Sequence, residues 1–282
     1  MSVPFWKANI QQTGKNVFST GLWTSQPKPD KNRNFYNDVF SIICYNRKVN
    51  NVDFSQIKAV AFDIDGTLYR AWKFNLRVFP YFMYHSIFFL KYGLVRNIMH
   101  RTAATPEFIN LQAEHMAKKL GCSKEEAKER LEKIIYKGLE KYFVNIKPCR
   151  GSIEFIKKLK EHGYKLAILS DFPPEQKGEI WGVKELCDVV LGSETAGALK
   201  PDATPFIQLA KELNLPPEQI LYVGNNHRYD IEGAHNAGMK TAWLILPHCG
   251  WFGKKSKIAD FTFWHYKQIS DIFFGKTDKQ LN

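Results

Sequence analysis

Two hydrophobic periods divide this chain. From Ile57 onward, short runs that are apolar at nearly every position recur at 58–62, 165–169, 189–191, 220–223 and 241–246. Such continuous runs are the signature of strands buried on both faces. Between several of them, Ser152–Glu161 and the stretches 204–213 and 230–237 place apolar residues at helical spacing. Strands alternating with amphipathic helices predict an α/β fold, a parallel sheet covered on both sides.

The first crossover breaks this rhythm. About 80 residues separate the strand ending at Phe62 from the helix near Gly151, against roughly 12 that a crossover needs. The excess predicts an inserted domain, and its pattern is helical. Pro80 suits the first turn of a helix over 81–90, with Gly93 just past its end. Thr105-Pro106-Glu107 opens a second helix, and Ser123-Lys124-Glu125-Glu126 reads as a capping box. Leu131, Ile134, Ile135 and Leu139 then recur at helical spacing. The resulting domain plan is an N-terminal extension (1–56), a core in two pieces (57–68 and 148–270), a helical insertion (69–147) and a polar C-terminal tail (271–282). Within the extension, which is rich in Asn, Lys, Ser and Gln, residues 35–43 could form a short amphipathic helix.

Candidate chemistry begins where the first strand ends. Asp63-Ile64-Asp65-Gly66-Thr67 puts two carboxylates, two positions apart, at the carboxyl edge of the sheet, where open α/β sheets bind ligands. One carboxylate can attack an electrophile while the other handles protons, and both can face a divalent cation. Asp-Gly is also a common turn dipeptide, so this segment needs its companions. They are Ser170-Asp171 after the second strand, Lys200-Pro201-Asp202 before a helix, and Gly224-Asn225-Asn226-His227-Arg228-Tyr229-Asp230 after the fourth strand. Taken singly, the second reads as a helix N-cap and the third as an ordinary loop.

In this order, with a domain-sized gap after the first, the four motifs resemble the haloacid dehalogenase (HAD) superfamily of phosphotransferases. The resemblance covers about residues 57 to 265 and implies a Rossmann-like parallel sheet core with a helical cap inserted after the first strand. It implies that Asp63 is a nucleophile forming an aspartyl-phosphate and that Asp65 serves as acid, then base. An acid at Asp65 separates the phosphatases of the family from the dehalogenases that name it. By the same resemblance Thr67, Ser170 and Asp171 belong to the phosphoryl-binding site, and Lys200 neutralises nucleophile and phosphoryl group. Mg²⁺ is implied as cofactor, held by Asp63, the backbone carbonyl of Asp65, and Asp230 or Asn225. The family pattern carries an acid where this chain has Asn225, so one negative charge is missing from the expected ligand set. His227, Arg228 and His235 read as solvated loop or helix-face residues.

Composition narrows the partners. The formal charge of +12 points to an anionic partner: a phosphorylated small molecule, nucleic acid or an acidic membrane surface. No nucleic-acid-binding module accompanies it. Five cysteines without a C-x-x-C pair suit reduced thiols in the cytoplasm better than a disulfide framework. No secretory leader and no membrane-spanning segment is expected. Between Gly66 and Pro106 the chain has no acidic residue, while Arg70, Lys73, Arg77, Lys91, Arg96 and Arg101 are basic and aromatics crowd the same stretch. These residues could form the cap's own core ringed by cations, bind a substrate's leaving group on closure, or make a peripheral surface for anionic membrane.

The expected activity is Mg²⁺-dependent hydrolysis of a small phosphate monoester. Its alternatives are a phosphotransferase of the same fold, or a catalytically weak binding protein associated with an anionic membrane surface.

Overall fold

The computed structural model describes residues 53–251 and 256–275. Most of the N-terminal extension, including the helix expected over 35–43, and residues 276–282 lie outside that range.

The strand β1 (Ala59–Phe62) is followed by a run of helices: α1 (Ala71–Tyr84), α2 (Ser86–Met99), α3 (Phe108–Leu120), α4 (Lys124–Leu131) and α5 (Lys137–Phe143). After α6 (Ser152–Glu161) the sheet resumes with β2 (Lys165–Ser170) and β3 (Val189–Gly192), and then α7 (Ala203–Leu213) and β4 (Ile220–Gly224). The short α8 (Gly233–Asn236), β5 (Lys240–Leu244), α9 (Pro247–Trp251), β6 (Phe261–Phe263) and α10 (Tyr266–Phe274) complete it. The six strands run in the order β3-β2-β1-β4-β5-β6, and every pairing is parallel. β1 lies at the centre, paired to β2 on one side and β4 on the other. Chain direction across the sheet reverses between β1 and β4, which opens a crevice at their carboxyl ends.

Alternation within the strands explains both layers. Val60 and Phe62 point into one core with Phe155, Leu159, Leu166, Ile168, Val223, Tyr266 and Ile269. Ala59 and Ala61 point into the other with Leu169, Phe206, Leu209, Ile220 and Tyr222. Both sides of β1 are fully buried, so its residues are apolar without a polar alternate. The inserted helices have a core of their own around Tyr92, Val95, Met99, Phe108, Met116, Leu131 and Ile135.

Three expectations change. Pro80 does not start a helix; it sits inside α1, and the break falls at His85. Gly93 lies within α2. The third concerns the C-terminus: residues 271–274 belong to α10, and Phe274 is buried against Phe155. The amphipathic face of α10 is part of the sheet's cover, so the polar tail begins later than 271. β6 is an addition, a three-residue edge strand that periodicity alone did not reveal.

Two helical irregularities frame the site. Residues Glu132–Tyr136 form a π turn between α4 and α5, and His227–Glu232 form another before α8. At the first, the carbonyls of Ile135 and Tyr136 accept from the Gln176 amide at 2.6 and 2.7 Å. One-turn π segments of this kind often lie near functional sites.

If α10 is structural, Phe274→Ala leaves a cavity beside Phe155 and lowers stability by about 3 kcal/mol in urea unfolding. An unchanged midpoint would contradict the placement of this helix in the core.

Candidate active site

Asp63, Asp65, Lys200 and Asp230 gather at the carboxyl edge of the sheet. Asp63 leaves the end of β1 and is 4% exposed. Its Oδ1 accepts from the Lys200 ammonium at 2.9 Å, and its Oδ2 accepts from the Thr67 hydroxyl at 2.9 Å. Lys200 Nζ also donates to Asp230 Oδ1 at 2.6 Å and to the Tyr222 hydroxyl at 3.2 Å. The other oxygen of Asp230 accepts from the backbone N–H groups of Asn225 and Asn226 at 3.1 and 2.8 Å. One buried ammonium therefore joins the loop after β1 to the loop after β4.

Two glycines make that approach close enough. Gly66 turns with φ +89°, and a Cβ there would sit 2.5 Å from the Asn225 amide nitrogen. A Cβ on Gly224 would lie 2.3 Å from Asp230 Cβ. A side chain at Gly66 would displace the Asn225 amide across the gap, and one at Gly224 would displace Asp230 within its own loop.

The electrostatics are unbalanced in a definite direction. Two carboxylates, Asp63 and Asp230, share one ammonium. Burial, then the neighbouring Asp230, pushes the Asp63 carboxyl up to about 7 against the opposing pull of Lys200. Burial acts to lower Lys200, but Asp230 and Asp63 override it and hold the ammonium's pKa well above its ordinary value. A buried cluster of this kind has room for further positive charge.

Asp65 lies beyond this triad and is partly open to solvent. Its oxygens accept from the Tyr69 hydroxyl at 2.5 Å and from the Lys177 ammonium. Lys177 Nζ also donates to the Ser170 hydroxyl at 2.7 Å. Lys177 is a buried cation in the centre of the site that sequence reasoning missed. It follows Pro173-Pro174-Glu175-Gln176 in a short turn, and Gln176, anchored on the π turn of the insertion, fixes where it points. A lysine shortly after Ser170-Asp171 was the available signal. Tyr69 and Tyr222 were missed as well. Asp171 does not face the carboxylates; its Oδ1 accepts from the backbone N–H of Lys200 at 3.1 Å and so ties two loops together. His227 bonds Glu232 and Ser256 at 3.1 and 2.8 Å, while Arg228 and His235 are exposed.

The residues fit a divalent cation by their chemistry. Asp63, Asp230 and Asn225 offer hard oxygens. The Thr67 hydroxyl touches both Asp63 Oδ2 and Asn225 Oδ1, at 2.9 and 3.1 Å. Its single proton can serve one of the two, which leaves the other oxygen seeking an electropositive partner. Among the described residues no three His, Cys, Asp or Glu side chains are grouped to hold a metal ion. The donor set is therefore a mixed one of carboxylate and amide oxygens.

The insertion is fastened over this edge by a buried polar network. Arg96 of α2 pairs with Glu194 and donates to Gln112 Oε1 at 3.1 Å. Glu194 also accepts from the Tyr136 hydroxyl at 2.7 Å. His100 Nδ1 lies 2.6 Å from the Lys200 carbonyl, and its ring stacks on Tyr229 at 4.4 Å. Beside Asp65 a cleft of about 590 Å³ opens between insertion and core, lined in part by Tyr69, Lys141, Phe143, Ile146, Lys177 and Trp181.

Residues 60–244 match the family described as haloacid dehalogenase-like hydrolase, and the chain belongs to that family. A phosphoglycolate phosphatase of Aquifex aeolicus is 34% identical over 127 residues, 44% of this chain and 58% of that protein. A glyceraldehyde 3-phosphate phosphatase of Pyrococcus furiosus is 34% identical over 142 residues, 49% of this chain and 55% of that one. The chain thus spans about half the length of the curated relatives it matches. Among solved structures, a HAD phosphatase from Thermococcus onnurineus superposes with a TM-score of 0.52 at 23% identity, covering 78% of this chain and 99% of that one. The L-2-haloacid dehalogenase of Xanthobacter autotrophicus gives 0.52 at 18%, over 78% and 99%. These superpositions establish the fold.

The Arg96–Glu194 pair gives a direct check on how the insertion is held. Arg96→Met alone leaves a buried carboxylate unpaired and costs about 3 kcal/mol in urea unfolding. Adding Glu194→Leu in the same chain recovers most of that loss. Equal instability of the single and double variants would contradict the assignment.

Proposed function

We propose that this chain is a Mg²⁺-dependent phosphatase that hydrolyses a small phosphate monoester through an aspartyl-phosphate on Asp63. The observation that carries the reading is the Lys200 ammonium bound at once to Asp63 and Asp230. It fixes one carboxylate as an oriented attacking group beside a buried positive charge, at the crevice where β1 and β4 diverge.

The substrate's phosphoryl group enters between Asp63 and Asp65. Thr67, Ser170, Lys177 and Lys200 donate to its oxygens, stabilising negative charge where it grows in the transition state. Asp63 attacks phosphorus in line, the bond from phosphorus to the ester oxygen breaks, and the protonated carboxyl of Asp65 gives its proton to the departing oxygen. Asp65, now a carboxylate, takes a proton from water. That water attacks phosphorus, the bond between phosphorus and Asp63 breaks, and inorganic phosphate leaves with Asp63 regenerated. Asp63, the Asp65 carbonyl, Asn225 and Asp230 would hold Mg²⁺, which when bound would screen the repulsion between carboxylate and phosphate and polarise the phosphoryl oxygens. Asp171 acts at one remove by holding the backbone of Lys200.

The inserted helices act as a cap. Their cleft beside Asp65 has aromatic walls and carries Lys141 and Lys177 together with Glu140, Glu175 and Glu179, a mixed lining that suits a compact polar leaving group. The names of the relatives, phosphoglycolate and glyceraldehyde 3-phosphate phosphatases, support that substrate class. A cytoplasmic setting belongs to the same reading; free thiols at the described cysteines are compatible with it.

Three measurements test this. With Mg²⁺ the protein releases phosphate from p-nitrophenyl phosphate, and Asp63→Asn lowers kcat by at least about 10³-fold. Residual turnover near wild type in that variant would remove Asp63 from the mechanism. Chelation with EDTA stops release, and added Mg²⁺ restores it. Asn225→Asp supplies a further anionic oxygen and lowers the Mg²⁺ concentration needed for half-maximal rate; a higher requirement would place Asn225 outside the metal site.

A further inference from the structure

Helices α1 and α2 are apolar on both sides. Their inner faces are accounted for: Phe88, Tyr92, Val95 and Met99 are buried in the insertion's core, and Phe74, Val78 and Tyr81 pack against it. Their outer faces are not. On α1, Trp72, Leu76, Phe79 and Met83 are all exposed, at spacings of four, three and four. On α2, Ile87, Leu90, Leu94 and Ile98 are exposed at spacings of three, four and four. Exposure in this set runs from 37% at Ile98 to 70% at Leu76.

The two stripes are continuous in sequence. His85 N–H donates to the Tyr81 carbonyl, and Phe89 N–H donates to the His85 carbonyl, both at 3.0 Å. The helix breaks at His85, whose backbone is not helical, so each stripe belongs to its own helix. Each is about 17 Å long at 1.5 Å per residue, and the pair makes up an apolar ridge. A helix that is hydrophobic all round belongs in a core or against lipid.

We propose that this ridge is a docking surface for an anionic lipid bilayer, with α1 and α2 lying in the plane of the headgroups. Charge decides for lipid over another protein chain of this sequence. From Leu68 to Pro106 there is no acidic residue. Lys73, Arg77 and Lys91 each follow a ridge residue by one position, about 100° round the helix; Lys73 and Arg77 donate to the neutral carbonyls of Lys147, Val144 and Asn145, so their charge stays beside the ridge without an acidic partner. In a symmetric dimer these cations would meet their own copies; against a membrane they meet phosphate. Trp72 and the highly exposed Tyr84 have amphipathic rings suited to the headgroup level. No helix among the described residues is long and apolar enough to cross a membrane, so the ridge lies on the bilayer. This proposal stands apart from the phosphatase reading and is tested without turnover.

The test is co-sedimentation of the full chain with vesicles of phosphatidylcholine alone, or of phosphatidylcholine mixed with phosphatidylglycerol. The protein is expected to pellet with the anionic vesicles at low salt, less at high salt and weakly with phosphatidylcholine alone. Leu76→Ser combined with Leu90→Ser lowers partition at least about tenfold, with circular dichroism and unfolding midpoint confirming that the variant is folded. Tryptophan emission shifts to the blue on binding, and the shift shrinks in Trp72→Phe. Failure of the full chain to pellet with anionic vesicles at low salt overturns the proposal. So does binding that the paired serine substitution leaves unchanged, since contact would then lie elsewhere. A concentration-dependent dimer that the same substitution abolishes assigns the ridge to a second copy of the chain, and also overturns it.

Discussion

The ammonium of Lys200 is the point on which the rest of the site depends. It is 2% exposed and bonded to two carboxylates from different loops. Removing a charge from water is costly, and the cost is recovered only where partners surround it closely. Asp63, Asp230 and Tyr222 supply those partners. Their arrangement requires β1 and β4 to be neighbours, which the strand order ensures. It also requires the two loops to touch, which Gly66 permits, and Asp230 to fold back on its own strand end, which Gly224 permits. Fold, backbone conformation and charge placement are therefore one constraint seen at three scales.

The triad leaves an excess of negative charge, and the proposed chemistry uses it. The carboxyl of Asp63 is pushed up to about 7 by burial and by Asp230. A divalent cation among these oxygens favours the ionised form that can attack phosphorus. Lys177 makes the complementary arrangement on the other side, between Asp65 and Ser170. The two lysines thus flank the place where the proposed mechanism puts the phosphoryl group, one from the loop before α7 and one from the turn anchored on the insertion. That anchoring links the insertion to the site: Gln176 bonds two carbonyls of the π turn while the next residue, Lys177, bonds Asp65.

Much of this was legible in the sequence because the relevant signals are local. Continuous apolar runs located five strands to within two residues at their ends, and the oversized first crossover located the insertion. Asp63, Lys200 and Asp230 are each tied to a strand end or helix start, so their convergence followed from topology. What the sequence hid depends on long-range contact. Lys177 sits on an irregular turn whose position is set by Gln176 meeting a π segment some 40 residues away in sequence. β6 is too short for a period to register, and it holds its place by pairing with β5. Pro80 misled because its role as a helix starter is a preference; here the packing of α1 overrides it. For the apolar stretch of α1 and α2 the sequence left core, leaving-group contact and membrane surface open, because only the structure shows which of those residues are exposed.

The account's central claim is that Asp63, oriented by Lys200, becomes covalently phosphorylated. Rapid acid quench of the protein with p-nitrophenyl phosphate and Mg²⁺, followed by borohydride reduction and peptide mass spectrometry, tests this directly. Reduction of an acyl phosphate converts aspartate to homoserine, and the account predicts that conversion at position 63 and its absence without substrate. Phosphate release with position 63 recovered as unmodified aspartate at every quench time, or homoserine found at another aspartate, would contradict it.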